Sequence, residues 1–185
     1  SPRIPFSEDV AKRFVEHLPY TLTDDQRKTA WQIYKDIDST QPMNRLVEGD
    51  VGSGKTVVAA MAAIMAVNSG YQVLFMAPTE ILARQHADSL AKLLAHTEWA
   101  DKIGLLVGSL SAKQKTSLHE RIASGDCRVA VGTNALIQDK VAAKNVGLVV
   151  IDEQHRFGVE QRTKLRTKAG LFPHVLCMTA TPIPR

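Results

Sequence analysis

The sequence predicts an α/β fold in which a mostly parallel sheet carries helices on both faces. Three observations support this fold class. Short apolar runs alternate with amphipathic stretches from residue 45 to residue 179, a rhythm typical of βαβ units. Several runs, such as 146–151, are apolar throughout, as strands buried on both faces of a parallel sheet are. A glycine-rich turn at 49–54 joins the first run to a helical stretch.

Two helices are predicted ahead of this alternation. The first begins after Ser7, whose hydroxyl suits an N-cap, and it ends at Pro19. The second begins after Thr23, which matches a capping box with Gln26. We expect residues 1–21 to be a linker and lead-in helix from a preceding domain.

The remaining elements follow from the periodicity of the apolar residues. Strands are predicted at 45–48, 72–77, 102–107, 128–132, 146–152 and 175–179. Helical patterns lie between them at 55–69, 80–95, 112–123 and 160–167. Together these elements predict one doubly wound domain.

The composition is that of an ordinary globular protein, with 44% hydrophobic and 23% charged residues. A formal charge of +4 permits a nucleic-acid partner without requiring one. No apolar run is long enough for a bilayer and no signal peptide opens the chain, so a cytosolic protein is expected. Cys127 and Cys177 lack metal-type spacing and lie in apolar runs, which predicts buried free thiols. Both ends of the chain look cut from something longer.

Residues 49–56, Gly-Asp-Val-Gly-Ser-Gly-Lys-Thr, are a complete match to the P-loop pattern G-x-x-x-x-G-K-[ST]. Glycines let the backbone N–H groups approach phosphate oxygens, the lysine places a charge beside the phosphates, and the threonine hydroxyl suits Mg²⁺. The alternative, a chance match in a glycine-rich turn, is disfavoured by the flanking strand and helix. The predicted ATP-binding residues are Gly49, Gly52, Ser53, Gly54, Lys55 and Thr56.

Two carboxylates, Asp152 and Glu153, follow the apolar run that ends at 151. The carboxyl ends of strands are where open α/β sheets bind ligands. Asp152 is positioned by this pattern to hold Mg²⁺ through its water shell, and Glu153 to polarise the attacking water. Alone, the pair is explained about as well by a solvated strand end. Coupled to the P-loop, it indicates a Mg-ATP site.

The run 152–155, Asp-Glu-Gln-His, resembles motif II of superfamily 2 helicases. Other motifs of that superfamily then appear in order. Residues 77–80 with Arg84 and Gln85 resemble motif Ia, 107–109 resemble a small glycine turn placed on a DNA phosphate, 131–133 resemble motif Ib, and 179–182 resemble motif III. Gln26 lies where a Q-type motif contacts adenine. The resemblance implies a RecA-like P-loop domain over residues 22–185.

Within this superfamily the motifs resemble most the RecG family, the branched-DNA translocases of bacteria. The transcription-repair coupling factors are similar in the run Asp-Glu-x-His-Arg-Phe-Gly. Ser53 and Gln154 favour the RecG family over them. The resemblance implies the ATP-binding motor half of a DNA helicase that remodels stalled forks and Holliday junctions in recombination and repair, in the bacterial cytoplasm with nucleoid association and no membrane.

The resemblance also implies roles for individual residues. ATP chemistry falls to Lys55, Thr56, Asp152 and Glu153, and coupling of the nucleotide to DNA falls to His155, Thr179 and Thr181. The backbone of branched duplex DNA is expected to face Thr79, Arg84, Ser109 and Thr133. Simpler structural explanations remain for several of the predicted site residues, including Gln26. Helix capping explains Gln26, a solvated helix face explains Arg84, and turn or cap preferences explain Ser109 and Thr133.

Members of this superfamily close the ATP site with a second RecA-like domain that supplies an arginine finger. Neither that domain nor the wedge domain of the RecG family is in the sequence. Residues 1–185 alone are therefore expected to hydrolyse little ATP.

Two other classes of protein also contain a P-loop and are alternatives to the helicase interpretation. A P-loop phosphotransferase would not need motifs II and III, and a GTPase would carry Asn-Lys-x-Asp, which does not occur.

Overall fold

The computed structural model of the chain describes residues 1–49, 53–133, 143–152, 167 and 170–180, without the side chains of residues 49, 53 and 180. Its helices are α1 Glu8–Glu16, α2 Asp24–Ile37, α3 Ser53–Asn68, α4 Glu80–Leu93 and α5 Ala112–Ser124. Its strands are β1 Asn44–Gly49, β2 Gln72–Met76, β3 Ile103–Leu106, β4 Val129–Gly132, β5 Val146–Asp152 and β6 His174–Ala180.

The described strands form one six-stranded sheet in the order β1-β6-β5-β2-β4-β3, and every pair in it is parallel. The predicted α/β fold class is confirmed. Because all strands run in the same direction, their carboxyl ends lie along one edge of the sheet. Every loop that follows a strand, and every motif on such a loop, is thereby brought to that edge.

Helix α3 is the centre of the domain. Its residues 57–67 are all buried, because α1, α2 and α4 pack around it while its inner side lies against β1, β2 and β5. Residues alternate along β2, so that Val73 and Phe75 join the core on the α3 side while Leu74 and Met76 face α5. The described helices therefore cover both faces of the sheet, as predicted.

The predicted element boundaries differ from the structure mainly at the ends. Helix α1 ends at Glu16 with His17 as its C-cap, so it stops short of the predicted end at Pro19. The reason is Pro19, which disfavours helical conformation in the residue before it. Both predicted N-caps are present, with a full capping box at Thr23. Of the predicted helix 160–167 only Thr167 is described, and it is not helical.

Both cysteines are thiols, and only one of them is buried. Cys127 lies in the core, and burial raises the pKa of its thiol to about 11. The prediction of a buried Cys177 was wrong, because this residue is only partly buried. Its neighbour across the β1–β6 pairing, Leu46, is 58% exposed, so this part of the sheet is incompletely covered by the described residues.

None of the helices in the described ranges is long and apolar enough to cross a membrane.

His174, the first residue of β6, ties the start of the chain to the sheet. It is fully buried, its Nδ1 accepts a hydrogen bond from the Met43 N–H at 2.9 Å, and its Nε2 lies 2.6 Å from the Pro2 carbonyl oxygen. Only a neutral ring with its proton on Nε2 satisfies both contacts. Burial holds the pKa of His174 below its usual value.

This depressed pKa makes stability fall in mild acid. The unfolded chain binds the proton at about pH 6.5, where the folded chain resists it, so the contribution of His174 is complete above that pH and is lost below it. We expect the free energy of unfolding to drop between pH 7.5 and pH 5.5, by at most about 1.4 kcal/mol per pH unit for this group. Urea unfolding at both pH values measures the drop.

The matched variants are His174→Gln and His119→Gln. The first removes the titrating ring and should reduce the pH dependence, although it lowers stability at pH 7.5. The second lies on α5, partly exposed, and should leave the wild-type pH dependence unchanged. An unaltered drop in His174→Gln would assign the pH dependence to other groups.

Candidate functional site

The carboxyl edge of the sheet carries the loops that the motifs occupy. Strands β1 and β5, which end at Gly49 and Asp152, are separated by β6 alone. Neighbouring strands lie about 4.8 Å apart, so the two strand ends are about 10 Å from each other. This spacing leaves room for a phosphate chain between the start of α3 and the carboxylate.

The first turn of α3 contains Lys55 and Thr56. Helix α3 starts at Ser53, four positions after Gly49, the last residue of β1, and Thr56 is 5% exposed. No acidic residue lies in this turn or in the first turn of α5, whereas α1, α2 and α4 each begin with one. A lysine at the positive end of a helix dipole is unfavourable by itself. The arrangement suits a bound anion, which both the lysine and the helix end attract.

Gln26 reaches this turn from the start of α2. Its side-chain oxygen accepts a hydrogen bond from the Thr23 N–H at 2.9 Å, which completes the capping box, and its Nε2 donates to the Gly54 carbonyl at 3.3 Å. A Cβ on Gly54 would lie 3.4 Å from that nitrogen. Gln26 thus caps α2 and also contacts the first turn of α3, so capping does not account for all of its contacts.

Asp152 meets a residue for which the sequence predicted no role. The Nε2 atom of His86, on α4, lies 3.1 Å from Asp152 Oδ2, and the two side chains are 14% and 19% exposed. The His86 ring also packs on Phe75 of β2, with ring centroids 4.7 Å apart. An ionised carboxylate only accepts hydrogen bonds, so the ring donates from Nε2.

A second group of polar side chains lies further along the same edge. Arg84 donates to the Ser109 hydroxyl at 3.1 Å, and that hydroxyl donates to Glu80 at 2.8 Å. The Ser109 N–H also donates to Glu80, at 3.1 Å. Hydrogen bonds from the Ser109 hydroxyl and N–H, followed by Arg84, hold the pKa of Glu80 below its usual value. The donors of Arg84 and Ser109 thus converge on one carboxylate, in the manner in which protein donors converge on a phosphate.

Two further threonines extend this polar group. Thr79 caps α4 by accepting from the Leu82 N–H at 3.2 Å, and Thr133 follows β4 with partial exposure. Because β2, β4 and β3 are neighbours in the sheet, Thr79, Thr133 and Ser109 lie on loops that succeed one another along its edge. The structure therefore brings these residues to one continuous face.

Some predicted site residues lie outside the described part of the chain. They are Gly52, Glu153, His155 and Thr181, and Gly49 and Ser53 are described in their backbone alone. Thr179 is described on β6, partly exposed, beside Glu48 of β1.

Two contributors to the site were missed by the sequence interpretation. Glu80 and His86 both lie on α4, and the motif Ia resemblance includes that stretch. The pairing of Glu80 with Arg84 was readable from their i,i+4 spacing. The contact of Glu80 with Ser109 and that of His86 with Asp152 could not be predicted, because the two partners lie 29 and 66 residues apart in the chain.

A parallel sheet with a helix that follows β1 at a P-loop sequence, and with an acidic residue at the end of β5, is typical of the P-loop class of nucleotide-binding domains. The profile of the DEAD/DEAH box helicase family matches residues 23–185, and the chain belongs to that family. Membership implies the use of ATP.

Individual relatives agree with this assignment. The ATP-dependent DNA helicase RecG of Bacillus subtilis (strain 168) is 53% identical over 180 residues, which are 97% of this chain and 26% of that protein. RecG of Aquifex aeolicus (strain VF5) is 48% identical over 186 residues, covering 100% of this chain and 23% of that protein. The solved structure of RecG bound to a three-way DNA junction matches with a TM-score of 0.85 at 40% identity, over 98% of this chain and 24% of that one. The chain spans about a quarter of the length of these curated relatives.

Proposed function

We propose that the chain is the ATP-binding motor half of a DNA helicase or translocase that remodels branched DNA, such as stalled forks and Holliday junctions, in recombination and repair. One observation carries the proposal. The phosphate-binding helix with Asp152, and the donors of Arg84 and Ser109, lie along one edge of one sheet, and α4 contributes to both groups. The similarity to RecG supports branched DNA as the substrate.

In this proposal the start of α3 binds the phosphates of ATP. Backbone N–H groups of the loop and helix start surround the phosphates, Lys55 adds a point charge, and Gln26 contacts adenine. The oxygen donors of Thr56 and Asp152 suit Mg²⁺, which when bound neutralises phosphate charge. Glu153 polarises the attacking water as general base. The backbone contributors are Gly49, Gly52, Ser53 and Gly54.

The DNA side of the proposal uses phosphate contacts, which are independent of base sequence. Arg84, Ser109, Thr79 and Thr133 offer the guanidinium, hydroxyl and N–H donors that bind phosphate. A phosphate at Ser109 has to displace or share the donors that Glu80 now occupies. Coupling between nucleotide and DNA is assigned to His155, Thr179 and Thr181.

The proposal places the chain within a longer protein. Residues 22–185 are the first RecA-like domain, and residues 1–21 lead into it, with α1 packed on α3. A second RecA-like domain and a wedge domain in cis complete the enzyme, which acts in the bacterial cytoplasm on the nucleoid. Opening and closing of the two lobes then moves duplex DNA by successive phosphate contacts.

The decisive test compares two DNA ligands of equal nucleotide content, a three-way junction and a linear duplex, in ATPase assays of the intact protein. We expect the junction to stimulate hydrolysis several-fold more than the duplex. Equal stimulation by both would contradict the branched-DNA proposal and favour the motor of a coupling factor. No stimulation by either, with phosphate transfer to a small acceptor, would favour a P-loop phosphotransferase. The chain 1–185 alone is the control, because without the second lobe it should hydrolyse little ATP.

A further inference from the structure

The contact between His86 and Asp152 connects the proposed DNA-contacting part of the site with the proposed ATP-binding part, which belong to different sequence motifs. Helix α4 begins at the threonine cap beside the proposed DNA contacts, and His86 lies two residues beyond Arg84 on the same helix. Asp152 ends β5 in the proposed ATP site. The 3.1 Å distance between His86 Nε2 and Asp152 Oδ2 is therefore a direct side-chain connection between them.

The surroundings hold His86 in a defined orientation. Its ring packs on Phe75, which is fully buried on β2. Strand β2 pairs with β5 in the register Met76 to Ile151, so the ring lies between the ends of two adjacent strands. The His86 side chain is only 14% exposed. Because it is closely packed, few other rotamers are available to it.

A carboxylate that binds a metal needs a fixed rotation about its Cβ–Cγ bond. A hydrogen bond to Oδ2 restricts that rotation and thereby sets the direction of Oδ1. Residues that orient metal ligands in this way are commonly worth about 10- to 100-fold in metal affinity. The imidazole is well suited to the task, because a ring on a rigid helix loses little conformational entropy when it donates.

We propose that His86 is a positioning residue that orients the Asp152 carboxylate for the Mg²⁺ bound with ATP. This inference rests on the proposed role of Asp152 in the ATP site. It assigns to α4 a task in nucleotide binding in addition to its proposed contacts with DNA. His86 acts through Asp152 and does not itself contact the nucleotide.

The test uses two variants of the intact protein that separate the hydrogen bond from the packing. In His86→Gln the amide nitrogen lies as many bonds from Cβ as the imidazole Nε2, so the donor is kept. In His86→Leu the apolar contact with Phe75 is kept and the donor is lost. Binding of a fluorescent, non-hydrolysable ATP analogue is measured as Mg²⁺ is varied.

We expect the half-saturating Mg²⁺ concentration to rise about tenfold in His86→Leu and to stay within about twofold of wild type in His86→Gln. Analogue binding without Mg²⁺ should be the same in all three proteins. Thermal unfolding shows whether each variant is folded. If His86→Leu does not fold, His86→Asn replaces it, because its shorter amide cannot reach Asp152 and should raise the Mg²⁺ requirement equally.

Two outcomes would overturn the inference. A folded variant without the donor that keeps the wild-type Mg²⁺ requirement shows that His86 does not position Asp152. Equal shifts in the Gln and Leu variants assign the effect to packing. A wild-type protein that binds the analogue without any Mg²⁺ dependence contradicts the proposed ATP site instead, so the two failures are distinguishable.

Discussion

Replacing Lys55 by alanine is expected to abolish productive ATP binding in the intact protein. The side chain lies in the first turn of α3, where helix dipole and ammonium group attract the same anion. Loss of a preorganised charge of this kind costs about 10²-fold or more in turnover. ATPase assays with saturating DNA and binding of a fluorescent ATP analogue measure the loss directly.

Lys55→Ala is expected to weaken ATP binding but to stabilise the ligand-free protein. Measuring both properties distinguishes a binding defect from misfolding. Because Lys55 opposes the helix dipole when no anion is bound, Lys55→Ala should raise the stability of the ligand-free protein by up to about 1 kcal/mol. Lys113→Ala, at an exposed position of α5, is the control and should leave ATP binding unchanged. Wild-type analogue affinity in a folded Lys55→Ala variant would refute the assignment of the phosphate site.

The largest effect on stability is expected at Gln72, the first residue of β2. This amide is 3% exposed and makes four hydrogen bonds. Its Nε2 donates to the carbonyls of Ile122 at 2.8 Å and Cys127 at 2.9 Å, and its Oε1 accepts from the N–H groups of Lys144 at 2.8 Å and Asn145 at 3.0 Å. One side chain therefore joins the end of α5 and the segments before β4 and β5 to β2.

Gln72→Met keeps the length of the side chain and removes all of these bonds. The two carbonyl contacts are buried, and the two N–H contacts are partly buried. Buried polar groups that lose their partners cost about 1–3 kcal/mol each, so we expect the free energy of unfolding to fall by about 3 kcal/mol. Urea unfolding at neutral pH measures this difference. Gln41→Met, at an exposed turn position, should change stability by less than about 0.5 kcal/mol. If Gln72→Met lowers the free energy of unfolding no more than Gln41→Met does, the prediction is wrong, and water replaces the hydrogen bonds of the amide.

The strands and the helix that follows β1 were predictable because their signals are local. Val149 and Val150 belong to a run without polar residues, which is typical of a strand covered on both faces. The glycines and the Lys-Thr pair of residues 49–56 form a phosphate-binding pattern within eight residues. Thr23 and Gln26 predicted the start of α2 because a capping box is a contact within four residues.

Other features could not be predicted because their signals are not local. Asp152 was expected at the carboxyl end of β5. No local pattern predicts that His86 donates a hydrogen bond to it, because the two residues lie 66 positions apart. The buried state of His174 depends on Pro2, 172 residues away. The partial exposure of Cys177 depends on what covers its face of the sheet, whereas its own run of sequence is as apolar as a buried strand.

The sequence by itself thus determined the class of the domain, together with the helix that carries Lys55 and the strand that ends at Asp152, because each is encoded in a short stretch of local pattern. The tertiary structure alone decided the strand order β1-β6-β5-β2-β4-β3 and the contacts made across it. Buried parallel strands present nearly interchangeable apolar runs, so the order in which they pair is set by the packing of the whole core rather than by any one of them. That order is what brings α4 into contact both with Asp152 at the end of β5 and with Ser109 after β3.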